Sequence, residues 1–247
     1  MSGKYSDFER RKRDHIDLAL MQSNQASDLN KLDAVILQHE ALPDFDFADI
    51  DIRSTRLSEP VAKPFLVSSM TAGHKDSQQI NYNFMRAASE NAWAMGVGSQ
   101  RRELDDKNAC HEWAQLRRQY PNLSLLGNLG IAQLITSHLD DILRLTDALQ
   151  ANGLIIHCNS LQECIQPEGT PEFQGAWRAL ENLAVKLALP VVVKETGCGF
   201  AKSTVKRLFD IGVSAVDISG LGGTHWGRIE MHRAAHDLLR SRAGNTF

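Results

Sequence analysis

The sequence predicts an α/β chain of the (β/α)8 TIM-barrel type, incomplete at about six βα units, behind an N-terminal helix and strand extension. Three observations carry that expectation. Short apolar runs recur at 65–70, 95–99, 123–129, 154–158, 191–193 and 215–218. A run that is apolar nearly throughout fits a parallel strand covered on both faces. Helix-length segments lie between the runs, at 80–93, 137–151, 176–189 and 203–211, and repeated βα units argue for a parallel sheet. The polar, glycine-rich strings SSMTAG, GSQR, GNLG, HCN, KETGCG and DISGLGG follow the six runs. In a barrel every strand end contributes to one site, whereas an open sheet uses only its switch point, so this pattern favours a barrel.

Ahead of the barrel, residues 4–21 read as an amphipathic helix in which Ile16, Leu18, Ala19 and Leu20 close a highly charged segment. Alternating residues such as Phe45, Phe47, Ile50 and Ile52, punctuated by Pro43 and Pro60, predict a strand or two over 33–62. The expected division is an extension over 1–62 that contributes to the substrate site, and a partial barrel over 63–247.

Composition narrows the function classes. The 247 residues are 43% apolar and 23% charged, which is ordinary for a globular chain. Net charge is -3 with both signs interspersed, so no basic stripe points to nucleic acid. The basic cluster Arg10–Arg13 is flanked by acidic residues. No apolar run approaches the roughly 20 residues of a membrane span, and the N-terminus lacks a signal-peptide apolar region. Cys110, Cys158, Cys164 and Cys198 form no CxxC pair. That usage fits a reduced, cytoplasmic protein rather than a disulfide framework or a zinc site.

The strand-end residues carry the candidate chemistry. Small residues in Ser68–Gly73 let a planar ligand approach the backbone and Thr71 offers a hydroxyl, although a plain βα turn needs the same residues. Ser99, Gln100 and Asn128 offer groups that suit a flavin-like ring or cap the following helix equally well. Period-2 geometry puts His157 and Asn159 on one side of the fourth run, with Gln162 and Glu163 on the loop beyond. Glu163 reads as a Mg²⁺ anchor or a helix-start acid, and His157 as a ligand residue or a satisfied core histidine. Lys194 follows a buried strand, where a charge is costly unless it meets an anion. Gly197, Gly199, Gly220, Gly222 and Gly223 supply free amides suited to a phosphate or a ring edge. No GxGxxG follows a strand, which argues against a Rossmann nucleotide site, and His232 and His236, without HExxH, read as surface residues.

Arg11-Lys12 with His15, SSMTAG, MGVGSQR, NLG, HCNSLQECIQPEG, VVVKETGCG and DISGLGGTHW occur in that order across nearly the whole chain. Together they resemble the type 2, FMN-dependent isopentenyl diphosphate isomerases. The resemblance implies interconversion of isopentenyl and dimethylallyl diphosphate in isoprenoid biosynthesis, with reduced FMN, Mg²⁺ and NADPH as flavin reductant. It implies flavin contacts from Thr71, Ser99, Asn128, Lys194 and Thr224, and diphosphate contacts from Arg11, Lys12, His157, Asn159 and Gln162. Glu163 would bind Mg²⁺, Trp226 would cover the isoprenoid, and Gln162 would assist proton transfer beside the reduced flavin. A homo-oligomer is expected on the same ground.

Two residues depart from the family pattern: Ala72 stands where glycine is usual and His225 where serine is common. The family also continues past AGNTF through a seventh and an eighth βα unit. The chain is therefore expected to be C-terminally truncated, to bind FMN poorly, and to be weak or inactive alone. Another FMN-dependent barrel oxidoreductase, such as a 2-hydroxyacid oxidase, is the first alternative, and a non-catalytic remnant the second. The oxidase reading needs a histidine base and an arginine pair near the last strands, which the sequence does not show.

Overall fold

The six apolar runs become six parallel strands, hydrogen-bonded in chain order. The computed structural model describes residues 2–26, 34–57, 59–61, 63–70, 77–106, 109–218, 220–221 and 223–244. A helix α1 (Ser2–Ala19) leads into a small antiparallel pair, β1 (Ser54–Arg56) and β2 (Glu59–Val61). The parallel sheet then runs β3 (Leu66–Val67), β4 (Ala94–Gly96), β5 (Leu125–Gly130), β6 (Gly153–Cys158), β7 (Val191–Glu195) and β8 (Ala215–Asp217). Between and after the strands lie α2 (Ser77–Asn91), α3 (Arg101–Asp105), α4 (Cys110–Gln119), α5 (Ile131–Thr136), α6 (Leu139–Leu149) and α7 (Ser160–Ile165). They are followed by α8 (Ala176–Lys186), α9 (Lys202–Asp210), α10 (Trp226–Arg233) and α11 (Leu238–Ala243).

The strands form because their side chains have apolar partners on both faces. On the outer face Leu129, Leu154, Ile156, Val191 and Val193 pack against Ile142, Leu145, Leu180, Leu183 and Leu208 of α6, α8 and α9. Alternate residues Leu126, Ile155 and Val192 meet on the inner face with Leu66 and Ala215 partly buried beside them. A second outer cluster joins Met95, Val97 and Leu125 to Met85, Trp113 and Leu116. Each such buried aliphatic side chain stabilises the fold by roughly 1.5–3 kcal/mol. Strands β3 and β8 are the two outer strands, so the described sheet is an incomplete (β/α)8 barrel.

Register sets the site. Gly130 pairs with His157, His157 with Lys194, and Lys194 with Asp217, so these residues lie at one level near the C-terminal ends of four neighbouring strands.

One local expectation is corrected. The alternation over 45–52 does not make a strand: Phe45, Phe47, Ile50 and Ile52 are exposed, and Phe47–Asp49 is a single 3-10 turn. Alternation stabilises a strand only where a partner covers its apolar side, and the pairing forms instead at β1 and β2. The segment 101–119 carries α3 and α4, whose Glu103 and Trp113 are tied by a buried 2.9 Å hydrogen bond.

Candidate active site at the strand ends

A cavity of about 240 Å³ opens at the C-terminal ends of the strands. Ser69 follows β3, Ser99 follows β4, and Asn128, His157 and Lys194 come from β5, β6 and β7. Asn159, Gln162 and Glu163 reach it from the start of α7, while Thr224 and Trp226 wall it at the start of α10. Helix α1 covers the opposite side with Arg11, His15 and Ala19, and with Lys12 and Ile16. Those spacings of four place both rows on one helix face. Of the sequence-predicted site residues the cavity gathers all but Gln100 and the glycines Gly197, Gly199, Gly220 and Gly223, while Thr71, like Ala72 and Gly222, lies outside the described residues.

The lining is strongly cationic. Arg11, Lys12, Arg101 and Lys194 face the cavity, against one lining carboxylate, Glu163. Burial, then the charges of Lys194, Lys12 and Arg11, push His157 down to about 3, so its ring is neutral. Its Nδ1–H donates to Asn128 Oδ1 at 3.1 Å, which leaves Nε2 as an acceptor. Burial, then Arg11, lowers Lys12 to about 8. Burial likewise lowers Arg11 and Lys194, with Asp217 and Glu195 partly offsetting the effect on Lys194. Lys194 Nζ donates to Thr196 Oγ1 at 2.9 Å. A bound anion would oppose the depressions of Lys12, Arg11 and Lys194, because a nearby opposite charge favours the protonated form.

Glu163 Oε2 accepts from Gln166 Nε2 at 2.9 Å and from the Thr170 amide at 2.8 Å, which fixes the carboxylate. Among the described residues no group of three or more His, Cys, Asp or Glu side chains could hold a metal ion. A divalent ion on Glu163 would therefore complete its shell with ligand oxygens and water, as Mg²⁺ commonly does.

Four features were not read from the sequence. Glu230, fully buried, accepts from His15 Nε2 and Gln162 Nε2 at 2.8 Å each on Oε1, and from Arg233 at 2.7 Å on Oε2. Burial raises its pKa, but His15, Arg233 and Gln162 outweigh that and keep it ionised. Gln162 Oε1 in turn accepts from Asn159 Nδ2 at 2.6 Å, so Gln162 is held at both ends of its amide. Glu230 lies four residues beyond Trp226, a spacing that puts both on one helix face, and this was the available signal. His15 lies edge-on to Trp226 with ring centroids 5.3 Å apart. His225 caps α10, its Nδ1 accepting from the Arg228 amide at 3.2 Å, so it fills the capping role for which serine is suited. Gln100 does not face the cavity as expected: its Oε1 accepts from the Asn128 backbone amide at 3.1 Å, bracing β5.

No protein-family model matches the chain. The isopentenyl-diphosphate delta-isomerase of Legionella pneumophila (strain Corby) is 63% identical over 247 residues, covering 100% of this chain and 72% of that protein. The chain belongs to the isopentenyl-diphosphate delta-isomerase family. The isopentenyl-diphosphate delta-isomerase of Bdellovibrio bacteriovorus is 48% identical over 251 residues, and that of Xanthobacter autotrophicus 42% over 236 residues. They cover 100% and 95% of this chain, and the chain spans 72% and 68% of them. The family is one of enzymes, in line with a cavity that gathers polar and charged groups from so many elements. Two solved structures resemble this isomerase-family chain in fold alone. An oxidised (S)-mandelate dehydrogenase mutant gives a TM-score of 0.58 at 13% identity, covering 96% of this chain and 77% of that one. A mandelate oxidase mutant with (S)-mandelic acid gives 0.55 at 15% identity, covering 97% and 75%. Among the described residues no helix is long and apolar enough to cross a membrane.

Proposed function

We propose that this chain binds isopentenyl diphosphate and converts it to dimethylallyl diphosphate as a type 2, FMN-dependent isomerase assisted by Mg²⁺. The single observation that carries the reading is the convergence of Arg11, Lys12, Arg101 and Lys194 around a neutral His157 in one cavity that also has an aromatic wall, Trp226. Such a set suits a small molecule with a multiply charged anionic end and an apolar end.

The residues present fit both the flavin and Mg²⁺. For the flavin, the buried Ser69 Oγ, which lines the cavity, has no partner among the described residues. Ser99, Asn128, Lys194 and Thr224 supply donors and acceptors on the same side, and we place Thr71 with them. For Mg²⁺, Glu163 offers an immobilised carboxylate beside the amides of Asn159, Gln162 and Gln166. When bound in its reduced form, FMN supplies the acid–base chemistry of the allylic proton shift.

The chain's own residues do the rest. Arg11, Lys12, His157, Asn159 and Gln162 bind the diphosphate, and Glu163 with the diphosphate oxygens holds the metal ion. Trp226 covers the isoprenoid carbons, where an aromatic face stabilises developing positive charge. Glu230 and Asn159 lock the Gln162 amide, which orients the reacting carbons and assists proton transfer. Helix α1 limits water at the diphosphate, which strengthens every charge contact there. NADPH serves as flavin reductant, the protein works in the cytoplasm as a homo-oligomer, and neither nucleic acid nor membrane is a partner.

The test follows isopentenyl diphosphate by proton NMR with FMN, NADPH and Mg²⁺. Formation of dimethylallyl diphosphate that stops when FMN is omitted is the expected result. Conversion without flavin, or oxidation of (S)-mandelate in place of isomerisation, overturns the proposal. Ligand binding without any conversion would make the chain a non-catalytic member of the family.

A further inference from the structure

The cavity is closed on one side by α1, whose described side chains tie it to the rest of the fold chiefly through polar contacts. Ile16 of α1 is 36% exposed and Leu20, just beyond it, 81%, so these two apolar side chains anchor it little. Its attachment is polar and falls mostly on one segment, 223–233. The Ala26 amide donates to Gly223 O, the His225 amide to Asn24 O at 2.7 Å, and Arg228 to Ser23 O at 3.2 Å. Within the helix itself, His15 bonds Glu230, and Asp14 pairs with Arg233 at 3.5 Å.

Arg233 is the junction of that attachment. Its side chain is 6% exposed and meets three carboxylates on three separate elements: Asp14 on α1 at 3.5 Å, Glu168 beyond α7 at 2.6 Å, and Glu230 on α10 at 2.7 Å. A planar guanidinium can serve three acceptors at once, which an ammonium cannot do in the same geometry. Arg233 does not line the cavity, whereas Arg11 and Lys12, three residues before Asp14 and His15 respectively, do.

We infer that Arg233 is a positioning residue for the diphosphate, acting through the docking of α1 that sets Arg11 and Lys12 over the cavity. The inference rests on the diphosphate reading above and deepens it. Arg233 touches neither diphosphate nor flavin. It joins the helix that carries two anion-binding cations to the elements that carry Gln162 and Trp226. Losing the junction should therefore weaken the anionic end of the ligand and spare the flavin, whose contacts come from the strand ends.

The experiment uses the full chain with FMN and Mg²⁺ and compares native protein with Arg233→Lys and Asp14→Asn. Isopentenyl diphosphate affinity is read by calorimetry, FMN affinity by flavin fluorescence, and thermal midpoint by circular dichroism. Arg233→Lys keeps the charge and loses the fork; misplaced cations should lower diphosphate affinity about tenfold. Asp14→Asn removes only the half-exposed tie to α1 and should cost about threefold. FMN affinity and the midpoint of Asp14→Asn should match the native chain. Unchanged diphosphate affinity in both variants overturns the inference, as does a parallel fall in FMN affinity and midpoint, which would mark a purely structural role. A native chain that binds FMN but no isopentenyl diphosphate overturns the parent reading, and this inference with it.

Discussion

Lys12 ties the anion reading to a measurable pH dependence. Burial, then Arg11, holds its pKa at about 8 rather than the ordinary 10.5. The ammonium form binds an anion and the neutral amine does not, so affinity should fall as pH rises through that value. An alkyl diphosphate has its last ionisation near pH 6, and His157, lowered to about 3, is neutral throughout, so neither supplies this slope. If the bound diphosphate keeps Lys12 protonated, the apparent dissociation constant scales as 1 + 10^(pH − 8). That factor is about 1.1 at pH 7 and about 11 at pH 9, a loss of roughly tenfold or ~1.4 kcal/mol. Calorimetric titration of isopentenyl diphosphate across this range measures it, with proton uptake on binding above pH 8 as a second readout. Lys12→Arg stays protonated throughout and should flatten most of the slope, any remainder falling to Lys194, which burial also lowers. A flat native profile, or a full slope retained in Lys12→Arg, would refute the reasoning.

Other expectations follow from single observations. Leu154, on β6, is fully buried in the outer cluster with α6, α8 and α9, and Leu154→Ala should cost about 2–5 kcal/mol in urea unfolding; a loss under ~1 kcal/mol would mean the site collapses freely. Glu230 has a folded pKa below its ordinary 4.5, so its stabilisation is present above that value and disappears as pH falls through the depressed one. Glu230→Gln should therefore show a thermal midpoint less sensitive to acid than the native chain, and equal acid sensitivity would count against an ionised Glu230. Glu163→Gln should remove the Mg²⁺ enhancement of diphosphate affinity while leaving metal-free binding nearly intact. Equal enhancement in that variant would place the ion elsewhere.

The barrel strands were legible because β5 and β7 are buried throughout, and a strand apolar on both faces announces itself in sequence. Helices α6 and α8 were legible for a related reason: each presents several apolar side chains to the same core. Phe45 to Ile52 misled because alternation describes what a strand needs on one side, not whether a partner exists there. At the site, Lys194 and His157 were readable as polar residues ending apolar runs, and register then set them side by side. Glu230 was not readable, since a carboxylate on a charged helix looks solvated until the fold brings His15 from 215 positions away to meet it. Arg233 hid in the same way. His225 needed the structure to show that its ring caps α10.

The flavin site offers the most direct test of the whole account, by titrating FMN into the full chain and following its fluorescence. Saturable binding that is weakened at least about tenfold in Lys194→Met, with the fold retained, is the expected result. No saturable binding, or identical binding by the Lys194→Met chain, would contradict the assignment of the strand-end cavity.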